Sequence, residues 1–245
     1  MTNRPKKVKT STVMADLIPE LDVDAVGIVS LAEWRGTKLE ETALRLLPQA
    51  HSVVIFAMEI YPEILDLSSP QRVMGEASLS DLLDGDANYL NGQLTEAAYD
   101  AAMAFRNSGL KALPLPATGC PQDTRFLEAV FSYKHAAQAG GLGQMGWNSL
   151  LITPDFGPRI RLSCCLTEAV LEPTHISITI KCEDCRICLD KCPAGALAEP
   201  TAGESYAINK FACCSFYRAT GGCVECMRVC PIGRKGRKRY ILQHQ

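Results

Sequence analysis

The chain has 245 residues, 47% of them hydrophobic and 21% charged, with a formal net charge of -2. That balance describes a globular protein and excludes a disordered or fibrous chain and whole-surface attraction to nucleic acid. No run of about 18 apolar residues occurs and no apolar segment follows the basic start MTNRPKKVKT, so we expect no membrane span, no secretory leader and a cytoplasmic protein.

Lys6, Lys7 and Lys9 near the start, and Arg234, Lys235, Arg237, Lys238 and Arg239 near the end, read as solvated tails. Between them, Ala25–Ser30 and Ser52–Met58 are short apolar runs rich in β-branched residues and predict buried strands. Leu94, Ala98, Ala101 and Phe105 recur at helical spacing, with Gly109 as the stop. A short strand is expected over Lys111–Pro116 and a helix over Phe126–Ala139. Strands are then expected at Ser149–Thr153 and Arg159–Leu166, around the turn Pro154-Asp155-Phe156-Gly157-Pro158. The alternation predicts an α/β or α+β layer over residues 1–175. A separate cysteine-rich module takes residues 176–245, with the boundary near Thr174–Lys181.

Nine of the twelve cysteines fall within residues 182–230. A cytoplasmic chain seldom uses cysteines as disulfides, so metal is the better account. The run Cys182-x2-Cys185-x2-Cys188-x3-Cys192-Pro193 has the bacterial ferredoxin spacing. One loop can wrap a cubane with its first three thiolates, and the fourth turns away toward a second cluster. A second run, Cys223-x2-Cys226-x3-Cys230-Pro231, lacks its upstream cysteine, which Cys213 or Cys214 can supply. Exchange of the fourth ligands gives Cys182, Cys185, Cys188 and Cys230 for one [4Fe–4S] cluster. Cys192, Cys223, Cys226 and one of Cys213 or Cys214 serve the other. Structural zinc fits less well, because its knuckles are usually well-separated pairs. Cys164 and Cys165 have no ligand spacing and read as small buried residues. Cys120, between Gly119 and Pro121, is expected to be exposed.

Residues 134–153 carry glycines 140, 141, 143 and 146. Gly141, Gly143 and Gly146 match G-x-G-x-x-G, but this run follows a helix and precedes a strand, the reverse of a dinucleotide site. Bare backbone there would let a large flat cofactor approach closely.

The run AGGLGQMGWNSLLITPDFGPRIRLSCCLTEAVLEP, followed by the double cysteine motif, resembles the epoxyqueuosine reductases and the reductive dehalogenases. The resemblance implies a nitroreductase-like α/β domain holding base-off cobalamin, followed by a two-cluster ferredoxin-like domain that reduces its cobalt. A ferredoxin or flavodoxin would donate the electrons and a small organic molecule would be the substrate. The resemblance favours Cys213 over Cys214 as the remote ligand. It implies cofactor contacts from Gly141, Gly143, Met145, Gly146, Trp147, Asn148 and Ser149, and from Arg159 and Arg161 to corrin phosphate or amides. The reductases carry a D-S-A-P aspartate as proton donor, yet counting back from Gly143 reaches Leu127, with Glu128 beside it. The dehalogenases use a tyrosine, for which Tyr133 is the stand-in, with Lys134 expected to lower its pKa. His135 is read as packed or capping. The helical-repeat domain that helps the reductases bind tRNA has no counterpart in these residues, so tRNA is not an expected partner. An electron carrier or activator for a partner corrinoid protein is the second expectation.

Overall fold

A computed structural model describes residues 21–68, 79–120, 122–175 and 179–234. Most of both basic stretches therefore lies outside the described residues.

The centre is an antiparallel sheet of β1 (Ala25–Ser30), β2 (Ser52–Glu59), β3 (Ala112–Leu115) and β8 (Ile160–Thr167), in the spatial order β1-β2-β8-β3. Every residue of β2 is buried. Alternation along the strand explains why: Val54, Phe56 and Met58 enter one core, while Val53, Ile55 and Ala57 enter the other. A strand covered on both faces is apolar along most of its length, and here only the two ends, Ser52 and Glu59, are polar.

The first core lies under the long helix α3 (Leu79–Asn107), which follows the short α2 (Pro62–Leu67). Its buried stripe, Leu90, Leu94, Ala97, Ala98, Ala101, Ala102 and Phe105, recurs at helical spacing, and the alanines let the helix lie close to the sheet. The opposite core lies under α1 (Lys38–Leu46) and α4 (Tyr133–Ala139). Cys164 and Cys165 are neighbours on β8 and fall into opposite cores. Both are fully buried, as small apolar residues should be.

The helix expected over Phe126–Ala139 is shorter. It starts at Tyr133, because Ser132 caps it by accepting from the His135 N–H at 3.5 Å. The residues before it form a small hairpin of β4 (Gln122–Asp123) and β5 (Glu128–Ala129), with Leu127 at φ +49°. Another two-stranded piece, β6 (Gln144–Met145) with β7 (Leu151–Ile152), follows α4.

The cysteine-rich part contains α5 (Ile187–Asp190), β9 (Leu197–Ala198) paired with β10 (Ala207–Ile208), α6 (Lys210–Ala219) and α7 (Glu225–Arg228). It docks on the turn before β8. Gly157 sits at φ +57°, and a methyl group there would collide with the Ile232 carbonyl. Gly157→Ala should therefore lower stability by about 1–3 kcal/mol from backbone strain alone. A denaturant melt of the reconstituted protein reads the loss, and an unchanged midpoint would refute this account.

Candidate metal centres and the adjoining cavities

The cysteines fall into two groups. Cys188 is close enough to Cys182, Cys185 and Cys230 to feel their charges, which add to burial in pushing its thiol up to about 11. Cys226 is pushed up to about 12, by burial first and then by Cys223, Cys213, Cys188 and Cys192. Cys213 in turn feels Cys192 and Cys223. Thiols crowded this way resist ionising together unless a cationic core neutralises them.

The first group surrounds a hollow of about 110 Å³, lined by Cys182, Cys185, Cys188 and Cys230 with Trp147, Ile152 and Ile232. Among the described residues, no three His, Cys, Asp or Glu converge on a point that one metal ion could occupy. Cysteines spread around a hollow suit the separated iron corners of a cubane and do not suit one tetrahedral ion. Backbone N–H groups already point at the sulfurs: Ala196 donates to Cys192 Sγ at 3.3 Å, and Trp147 and Ile232 serve Cys182 and Cys230.

The glycine segment does a different job from the one expected of it. A side chain at Gly143 would strike the Ile152 carbonyl, and one at Gly146 would strike the Ile152 side chain. The missing side chains make room for the protein's own strand β7. Gly141 is glycine for its φ of +73°. Met145 is buried in the core, and its N–H donates to Gln138 Oε1 at 2.8 Å. Trp147 and Asn148 wall the first cysteine hollow, with the Arg186 guanidinium 5.9 Å from the Trp147 ring centre. Asn148 Nδ2 donates to the Cys226 carbonyl at 3.4 Å. Ser149, at φ +61°, offers its carbonyl to Lys134 Nζ at 2.5 Å. The segment is the seam between the α/β layer and the cysteine groups.

Arg159 is also placed differently. It is 1% exposed, and its two terminal nitrogens donate to backbone carbonyls of the second cysteine run while Nε is buried without a partner. It is neither a solvated edge residue nor available to a corrin phosphate. Arg161, two residues on, donates to Asn91 Oδ1 at 3.1 Å. Its Nε and the Asp86 Oδ2 are buried without hydrogen-bond partners.

Tyr133, Lys134 and Arg161 do come together. They line a cavity of about 330 Å³ with Asn91, Tyr217 and Cys223. A second cavity, about 520 Å³, is lined by Lys38, Glu128, His135, Tyr206 and Lys210 and again by Lys134. Lys134 thus lines both hollows, and it lies near Cys226 and Cys213. Tyr133 differs electrostatically from expectation. Its O–H donates to the Pro116 carbonyl at 2.8 Å. Burial, then the nearby Cys120 and Cys164, push the phenol up, and Lys134 has no part in it. Cys120 is half-buried, and His135 packs against the Tyr206 ring and Ser132 Oγ, as a capping residue does. Tyr206, Lys210, Asn91 and Tyr217 carried no signal in the spacing, since Tyr206, Lys210 and Tyr217 fall in the spacer between the cysteine runs and Asn91 interrupts the apolar stripe of α3.

No family model matches the chain. In an alignment of 199 positions that covers 73% of this chain, it is 31% identical to a tetrachloroethene reductive dehalogenase of Dehalobacter restrictus, of which it covers 32%. Over 119 residues it is 30% identical to the epoxyqueuosine reductase of Bacillus subtilis, of which it covers 29%. The chain therefore spans about a third of the length of these curated relatives. In fold it resembles a solved reductive dehalogenase (TM-score 0.66, 19% identity, 94% of this chain and 33% of that one). It also resembles an epoxyqueuosine reductase solved with a tRNA stem loop (TM-score 0.58, 20% identity, 94% and 67%). With its paired cysteine runs and the layer they dock on, the chain is related in sequence and fold to both the reductive dehalogenases and the epoxyqueuosine reductases.

Proposed function

We propose that the chain is a cobalamin- and iron–sulfur-dependent reductase of a small organic substrate. Residues 1–175 would form a nitroreductase-like cobalamin domain and residues 176–245 a two-cluster ferredoxin-like domain. The observation that carries this reading is the placement of the second cysteine group, whose Cys223 lines the same cavity as Tyr133, Lys134 and Arg161. Cys182, Cys185, Cys188 and Cys230 would hold one [4Fe–4S] cluster. Cys192, Cys213, Cys223 and Cys226 would hold the other, beside the cavity.

The cavity suits the amide-fringed edge of a corrin. Arg161, which lines the cavity, has its Nε buried without a partner, and an amide oxygen can accept from it. When bound, cobalamin supplies a strongly reducing cobalt centre. Arg161 would orient an amide or an anionic substrate group, and Lys134 would keep a cation between the clusters and the two hollows. Tyr133 would hold a phenol proton at Oη, facing the Pro116 carbonyl. Its raised pKa makes it a weak acid. That observation favours a second reading, an electron carrier or activator that re-reduces a partner's corrinoid. A small ferredoxin or flavodoxin remains the proposed electron source.

Anaerobic reconstitution with iron, sulfide and cobalamin tests the proposal. We expect about eight irons per chain, a base-off Co(II) EPR signal and turnover of organohalide or epoxide probes. Cobalamin retention without turnover would favour the activator. Failure to retain cobalamin with both clusters intact would sink the cofactor assignment.

A further inference from the structure

Arg159 heads the largest fully buried side chains in the protein. Burying a guanidinium is costly unless its donors and its charge are met. Its terminal nitrogens donate to three backbone carbonyls of one short stretch, Nη1 to Met227 at 3.3 Å and to Cys230 at 3.2 Å, and Nη2 to Ile232 at 2.5 Å, while Nε is buried without a partner. Burial works against the Arg159 cation and so does the nearby Arg234, while the Cys230 side chain favours it most, ahead of Glu59 and Asp66. A second, independent feature marks the same place. Gly157 and Gly233 meet backbone to backbone, with no room for a side chain on either. The turn before β8 and the loop after Cys230 are therefore interlocked, and Arg159 is the bolt through them.

Reduction of a cubane adds one electron to the cluster and its thiolates, with no bond made or broken. A dry cation fixed beside one thiolate stabilises the more negative form more than the oxidised one. The first cysteine group has this cation built in at Cys230. We propose that Arg159 is a positioning residue that seats the end of the second cysteine run and raises the reduction potential of the first cluster relative to the second. This inference rests on the cluster assignment above.

The test is a potentiometric EPR titration with dithionite on anaerobically reconstituted wild type, Arg159→Lys and Arg159→Gln, with iron analysis of each. The first cluster's signal is identified as the one missing from Cys188→Ala. At the wild-type midpoint, Arg159→Gln should lower the reduced-to-oxidised ratio of that signal about tenfold, a shift of about 59 mV for a one-electron couple. The second cluster should not move. Arg159→Lys, which keeps a cation but loses the fork, should fall between the two. An unchanged midpoint in Arg159→Gln, or equal shifts in both clusters, would overturn the proposal. If Arg159→Gln does not fold, Arg159→Lys decides: a first-cluster midpoint below wild type supports the proposal, and one equal to it overturns it. Wild type without any cubane signal would instead overturn the cluster assignment.

Discussion

Cys188→Ala and Cys226→Ala should each halve the iron of the reconstituted protein, from about eight atoms per chain to about four, and each should erase a different EPR signal. The reason is the division of the thiols. Cys188 is surrounded by Cys182, Cys185 and Cys230, whereas Cys226 is coupled first to Cys223 and Cys213. Removing one of four thiolates leaves an iron corner open, and the cluster is lost or degraded. Cobalamin-dependent turnover should fall to background in both variants, because either break interrupts the electron path. Two controls sharpen the result. Cys214→Ala should keep its full iron, since Cys226 feels Cys213 and Cys214 is not among its neighbours. Cys164→Ala should keep it too, because that thiol is enclosed in the core beneath α4. Full iron in Cys213→Ala, with loss in Cys214→Ala, would reverse the remote-ligand assignment.

The second large effect is expected at Lys134. Lys134→Met should retain both clusters and lose on the order of 100-fold in turnover, the usual cost of removing one well-placed donor or cation from a reaction site. The side chain lines both cavities and is tied to the Ser149 carbonyl at 2.5 Å. Methionine fills the same length without the charge. It leaves the Ser149 carbonyl without this donor, which should cost about 1–3 kcal/mol in stability. Iron content and kcat measured on the same preparation separate the roles. If turnover falls only in proportion to lost iron, Lys134 merely ties the seam together.

The elements that alternate or repeat were legible in the chain. β1, β2 and the buried stripe of α3 follow from periodicity, and the cysteine runs from spacing, because each is a local pattern. What escaped was set by distant partners. Gly143 and Gly146 look like a cofactor cradle until Ile152 is seen filling the space beside them. Arg159 looks like a corrin contact until the Cys230 loop, some seventy positions later, closes over it. The start of α4 was missed because one serine cap and the turn at Leu127 outweigh a run of helix-tolerant residues.

β8 is more than the middle of a sheet. Arg159, Arg161 and Ser163 are spaced two apart at its leading end, and they serve in turn the cysteine loop, Asn91 of α3 and the Leu94 carbonyl. They act like successive teeth of one key. A single-residue insertion or deletion between Arg159 and Ser163 would put one tooth on the opposite face. Such a change would disconnect the cysteine loop from the cavity wall even if every cysteine and every core residue were kept. In this lineage, the length of that strand should therefore resist change more than the identity of most residues in it.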